Sequence, residues 1–270
     1  MASEAIAKQY KSLHKVGGSH LITALAFSKV RALFDAEQPL LIIVSALGQT
    51  TANLQHLLDA AKTGGDYTSM LKGVVKFHQS LASELLDDAS LFGQYIKDDL
   101  LTLESLLKKT AQQAHYDGLR QDYVLSLGEY WSSFLFGQYW GEDYALLDAA
   151  RILVVEKQAR RCVVDWQASE QNLKEFVKQS TAKHFLITGY VAQDDAGNRV
   201  TLGLEGSDFS AAIFANLFHV ESVTFWSDVE GLFSADPTRV KHANIIPQLS
   251  YFEAMELAYL GSSILHRSGD

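Results

Sequence analysis

The run Leu40-Leu41-Ile42-Ile43-Val44 is short, apolar and unbroken, the pattern of a strand covered on both faces in a parallel sheet. Upstream, Tyr10 to Val16 reads as a more modest strand that ends in Gly17-Gly18-Ser19. Leu21, Ala24, Leu25, Ser28 and Val30 then recur at helical spacing and predict a helix to about Glu37. After the small-residue loop Ser45-Ala46-Leu47-Gly48, a second helix is predicted from about Thr51 to Lys62. Residues 66–115 are largely helical by the same spacing, and the aromatic-rich segment Tyr130 to Trp140 predicts a core helix.

Strands are predicted at Ile152–Val155, Val163–Trp166, His184–Ile187 and Val223–Trp226. Asp194-Asp195-Ala196-Gly197-Asn198 has the residues of a hairpin turn between Tyr190-Val191 and Val200-Thr201. Helices are predicted at Ser207–Phe218 and Tyr251–Leu260. Strands alternating with helices define an α/β fold, a three-layer αβα sandwich around a mainly parallel central sheet. Right-handed crossovers in such a sheet bring the loops after successive strands to one edge, where ligands collect.

Composition adds constraints on partners. The 270 residues are 47% hydrophobic and 20% charged, enough to bury a substantial core. A net charge of −9 argues against a nucleic-acid surface, which needs clustered Lys and Arg. It leaves a nucleotide open, because a few backbone N–H groups and one lysine can hold a phosphate. The single cysteine, Cys162, rules out an intrachain disulfide and fits a reducing cytosol. The first residues lack the apolar core of a signal peptide, and no apolar stretch has the length of a membrane span. A soluble cytoplasmic protein without membrane contact is therefore expected.

Three short constellations carry candidate chemistry. In Lys15-Val16-Gly17-Gly18-Ser19, two glycines directly after a strand let the backbone approach an anion that the lysine can also reach. This is neither a Walker loop nor a dinucleotide fingerprint, and by itself a glycine pair after a strand is more often a plain turn. In Leu202-Gly203-Leu204-Glu205-Gly206-Ser207-Asp208, which opens a helix, Ser207 or Asp208 can serve as a cap, or an acid can organise groups around a reacting phosphate. In Trp226-Ser227-Asp228 to Asp236-Pro237, a strand ends in Ser-Asp and passes a glycine turn to an Asp-Pro turn. Scattered histidines (His14, His184, His219 and His266) show no metal-ligand spacing, and no metal site is expected from protein ligands alone.

The order of these pieces is more informative than any one of them. Lys-x-Gly-Gly-Ser, Val-Ser-Ala, Gly-Glu-x-x-Ser, Gly-Ser-Asp, Ser-Asp-Val-x-Gly and Ala-Asp-Pro follow one another between about residues 11 and 266. The series resembles the aspartokinases of the amino acid kinase superfamily, above all the kinase part of the methionine-branch bifunctional aspartokinase/homoserine dehydrogenases. The resemblance implies the amino acid kinase fold, with a substrate lobe over about 1–180 and a nucleotide lobe over 181–270. The regulatory and dehydrogenase regions that follow the kinase part in the family are expected to be absent. It implies ATP-dependent, Mg²⁺-assisted phosphorylation of the L-aspartate side chain, and it leaves a homodimer open.

By similarity, Lys15 neutralises charge on the transferred phosphoryl group, Gly17, Gly18 and Ser19 cradle the phosphates, and Asp208 orients the lysine. Ser227, Asp228, Phe233 and Asp236 fall where the family holds ATP, and Arg239, one step beyond the family's basic position (here Thr238), is expected to reach a phosphate. Ser45, Thr51, Glu129 and Ser207 match positions that contact aspartate, with Glu129 on its ammonium group. Where the family has an arginine that forks onto an aspartate carboxylate, this chain has Leu204, followed by Glu205. Loss of such a buried charge pair costs on the order of 2–5 kcal/mol. A domain that keeps the fold and nucleotide binding but has lost aspartate phosphorylation is therefore the alternative.

Overall fold

A computed structural model of the chain describes residues 10–19, 21–34, 37–141, 143–158, 162–203, 206–227, 231–235, 240–250, 252–254 and 256. Every residue of Leu41–Val44 is buried, and this run forms strand β2 in the middle of a five-stranded sheet. Its neighbours are β1 (Ser12–Val16) on one side and β6 (His184–Thr188) on the other. The sheet is completed by β3 (Tyr144–Leu147) beside β6 and by β9 (Ser222–Trp226) beside β1, giving the order β3-β6-β2-β1-β9 with every pairing parallel. Strands from both sides of residue 180 are thus interleaved in one sheet.

Helices cover both faces. On one side lies α5 (Gly118–Trp140), a helix buried along most of its length, with the polar Arg120, Asp122 and Glu129 buried among its apolar residues. Its Phe136 and Trp140 line a small cavity together with Ile42 and Leu186 of the sheet. It is flanked by α2 (Thr50–Thr63), α3 (Tyr67–Leu85) and α4 (Ser90–Gln113). On the other side α8 (Gly206–Phe218) packs on β1, β2 and β9, and α7 (Trp166–Gln179) packs beside it. There Tyr10 sits against Phe185 and Phe218, with ring centroids 5.6 and 5.5 Å away. The short helices α1 (Ala24–Arg31) and α6 (Ala149–Ile152), the hairpin β4 (Val155–Lys157)–β5 (Cys162–Val164) and the hairpin β7 (Val191–Gln193)–β8 (Arg199–Thr201) complete the described elements.

The α/β architecture with its parallel sheet is the one the alternation predicts, and the turn at Asp194 to Asn198 joins β7 and β8 as expected. Four assignments differ. The first helix ends at Arg31, not at about Glu37. Ile152 closes helix α6, so the strand there starts at Val155. Trp166 begins a helix rather than ending a strand, because the Asp165 carboxylate accepts the Ala168 N–H and caps it. The aromatic helix begins a dozen residues before Tyr130, where Asp117 caps Gly118 by accepting the Arg120 N–H. The predicted helix Tyr251–Leu260 lies largely outside the described residues, of which 252–254 and 256 are helical. Among the described residues no helix is long and apolar enough to cross a membrane.

Candidate active site

All five parallel strands point their carboxyl ends the same way, so Gly17, Ser45, Asp148, Gly189 and Ser227 follow strands along one edge. Close contact there requires residues without side chains. A Cβ on Gly18 would lie 2.0 Å from the Ala46 carbonyl oxygen, so the loops after β1 and β2 touch backbone to backbone. The Gly48 N–H donates to the Gly18 carbonyl at 2.8 Å and fastens the contact. A Cβ on Gly128 would lie 2.8 Å from Ala46 Cβ, which brings α5 down onto the same loop and sets Glu129 beside it.

The result is a cleft of about 540 Å³. Lys15, Ser45, Thr51, Glu129, Ser207 and Asp208, six residues singled out by the sequence, all line it. Lys15 Nζ lies 2.7 Å from Asp208 Oδ1. Asp208 stands in the first turn of α8, where the unpaired N–H groups of a helix favour negative charge. Glu129 is only 3% exposed, and Ser207 Oγ donates to its Oε1 at 3.1 Å. Burial pushes the Glu129 carboxyl up to about 8, against the opposing pull of the Ser207 hydroxyl and the Lys15 charge. Its Oε2 and the buried Ser45 hydroxyl have no hydrogen-bond partner among the described residues. Buried polar atoms left open in this way, both belonging to cleft-lining residues, are what a site for a polar ligand presents.

The remaining predicted residues are placed less centrally. The Gly17 N–H donates to the Trp226 carbonyl at 3.0 Å and so ties β1 to β9; what it offers an anion is the absence of a side chain. Gly18 and Ser19 follow at the edge of the sheet. Ser227 directly follows β9, and Phe233 forms an isolated bridge with Ile245. Asp228, Asp236 and Arg239 lie outside the described residues, as do Leu204 and Glu205. No group of three or more His, Cys, Asp or Glu among the described residues could hold a metal ion.

Three cleft residues, Asp122, Lys157 and Tyr190, were not foreseen in the sequence. Asp122, 4% exposed on α5, forms an ion pair with Lys157 at the end of β4 and accepts the Thr201 hydroxyl at 2.6 Å. Thirty-five residues separate the two partners, so only the folded arrangement, which brings the end of β4 to α5, reveals the pair. Tyr190, held at φ +70° with its N–H donating to Ser210 Oγ at 2.9 Å, also lines the cleft.

A parallel α/β sheet with a glycine loop, a lysine–carboxylate pair and a helix N-terminus at its carboxyl edge defines a domain built to receive an anionic ligand. The profile of the Amino acid kinase family matches residues 11–269. The chain is 34% identical over 264 residues to bifunctional aspartokinase/homoserine dehydrogenase 1 of Arabidopsis thaliana, a match covering 94% of this chain and 29% of that protein. It is 34% identical over 265 residues to bifunctional aspartokinase/homoserine dehydrogenase 2 of Escherichia coli, covering 95% and 32%. Its fold matches the crystal structure of E. coli aspartokinase III in complex with aspartate and ADP, with a TM-score of 0.85 at 23% identity, over 96% of this chain and 58% of that one. This chain belongs to the amino acid kinase family. It spans 29% and 32% of the length of those two curated relatives.

Proposed function

We propose that this chain is a kinase domain that transfers the γ-phosphoryl group of ATP to the side-chain carboxylate of L-aspartate, giving 4-phospho-L-aspartate and ADP. The observation that carries the reading is the convergence in one cleft of the Lys15–Asp208 pair with the buried Glu129–Ser207 pair. The first suits a phosphoryl group and the second an ammonium group. In this transfer a carboxylate oxygen attacks the γ-phosphorus while the bond from that phosphorus to the β,γ-bridging oxygen breaks, and ADP departs with the electron pair. The attacking carboxylate is already ionised at neutral pH, so no general base is required. Catalysis then consists of positioning and charge neutralisation.

Lys15 neutralises the equatorial oxygens, Asp208 holds the lysine in place, and Gly17, Gly18 and Ser19 give the phosphates close access to the backbone. Ser45, Thr51 and Ser207 hold the amino acid, and Glu129 receives its ammonium group. Ser227, Asp228, Phe233, Asp236 and Arg239 are assigned to the nucleotide, so about 181–270 supplies mainly nucleotide contacts and about 1–180 mainly substrate contacts, with the Lys15–Ser19 loop and Ser207 crossing that division. Mg²⁺ would arrive with the triphosphate, held mainly by phosphate and water oxygens as is usual for this ion, and would supply charge neutralisation. The lone, half-buried Cys162 fits a reducing compartment such as the cytoplasm.

The test is ADP release coupled to a spectrophotometric readout, with Mg-ATP and a panel of carboxylic amino acids. Turnover with L-aspartate and not with L-glutamate supports the reading. Nucleotide binding with no turnover on any carboxylate contradicts it.

A further inference from the structure

The cleft is lined by three acids, Asp122, Glu129 and Asp208, but by only two cations among the described residues, Lys15 and Lys157. Lys15 is engaged by Asp208 at 2.7 Å. The segment 202–208, Leu-Gly-Leu-Glu-Gly-Ser-Asp, leads into α8 and contains no cation. A four-carbon amino dicarboxylate carries two carboxylates and one ammonium. With Glu129 on the ammonium and the reacting carboxylate at Lys15, its second carboxylate still needs a positive partner, since an unpaired charge in a closed cleft is costly.

We propose that Lys157 is that partner: it binds the non-reacting α-carboxylate of the substrate, and the buried Asp122–Thr201 pair positions it. This rests on the aspartate reading above. Both oxygens of Asp122 are engaged in the arrangement, one on Lys157 and the other accepting the Thr201 hydroxyl. The ammonium group of Lys157 has three N–H donors, and its side chain is 42% exposed, so donors remain for a ligand. Asp122, Leu125 and Glu129 all line the cleft from α5. Their spacing of three and four residues puts them on one face of the helix. Asp122 and Glu129 are about 10 Å apart along the axis, a span filled by the substrate's ammonium and α-carboxylate, which share one carbon, together with the Lys157 ammonium standing between that carboxylate and Asp122.

The plain alternative is that the ion pair merely fastens the β4–β5 hairpin to α5. Lys157→Met and Lys157→Arg are compared with wild type, together with the double variant Asp122→Asn/Lys157→Met, which leaves no buried charge unpaired. The readouts are KM for aspartate, KM for ATP, and the preference for aspartate over its α-carboxamide. In both Met variants the account predicts an aspartate KM raised on the order of tenfold and an unchanged ATP KM. The preference over the α-amide shrinks by a similar factor, and the Arg variant keeps most of it. An unchanged preference in the Met variants, whatever their melting temperature, overturns the proposal. If the wild type shows no aspartate turnover, the functional reading fails, and Lys157 is judged by calorimetric titration with L-aspartate. Weaker binding by both Met variants upholds its role, while equal binding, or none by wild type, overturns it.

Discussion

Glu129 concentrates most of the chemistry that this cleft can show. Its carboxyl is displaced upward to about 8 by burial, so in the empty site it is largely neutral at pH 7. An acid whose folded pKa lies above its unfolded value binds more protons in the folded than in the unfolded state between those two values. Stability therefore falls as pH rises from about 4.5 to about 8. Glu129→Gln removes this contribution, and its melting temperature should decline less than that of wild type across the same window. A substrate ammonium beside Glu129 reverses the balance by favouring the ionised form. Aspartate binding near pH 7 should therefore release up to one proton, detectable as a dependence of the calorimetric heat on buffer ionisation enthalpy, and Glu129→Gln should abolish the release.

Lys15 makes a different prediction. Lys15→Met should lower kcat by on the order of 100- to 1000-fold, the usual effect of deleting one donor to developing charge. Because both side chains of the pair are partly exposed, 16% and 33%, the melting temperature should move little. A large thermal shift with a small kinetic one would make the pair structural instead.

The loops that carry these residues depend on contacts allowed by glycine. The Ala46 carbonyl leaves no room for a Cβ at position 18, and the obstacle is backbone, which cannot swing aside. Gly18→Ala should thus destabilise the fold by on the order of 1–3 kcal/mol, read from urea denaturation, and should weaken nucleotide and aspartate binding together. A change confined to one ligand would show that the two loops are not coupled.

The elements differ in how plainly the chain announces them. The unbroken, β-branched run Leu40 to Val44 has the pattern of a strand buried on both faces, and Asp194 to Asn198 carries the residues of its turn. By contrast β3 offers only Tyr144-Ala145-Leu146-Leu147, too short to distinguish strand from helix by period. Helix α7 hides behind Cys162-Val163-Val164, whose β-branched pair draws Trp166 into a strand until the Asp165 cap is noticed. Lys15, Glu129, Ser207 and Asp208 were legible because each sits in a short motif, the last two in the same one. Asp122 and Lys157 were not, since their pairing follows from tertiary docking and no local pattern encodes it.

At the level of the entire domain, the sheet order places β1 between β2 and β9. The glycine loop after β1 is therefore flanked by the loop after β2 on one side and the end of β9 on the other. An amino acid and a nucleotide approaching from those two sides would meet at Lys15, which is the geometry a direct in-line transfer needs. Nucleotide binding to the folded state should raise the melting temperature. The stabilisation expected is roughly 2.7 kcal/mol when Mg-ADP exceeds its Kd about a hundredfold, and aspartate should add to it. The measurement that reaches the central claim most directly is ADP release by the wild type and by Lys15→Met, with hydroxylamine present to trap any acyl phosphate as its hydroxamate. The account predicts ADP and aspartyl hydroxamate in equal amounts, dependent on L-aspartate and nearly abolished in the variant. Folded wild-type protein that binds Mg-ATP yet forms no hydroxamate, or a variant as active as wild type, would contradict it.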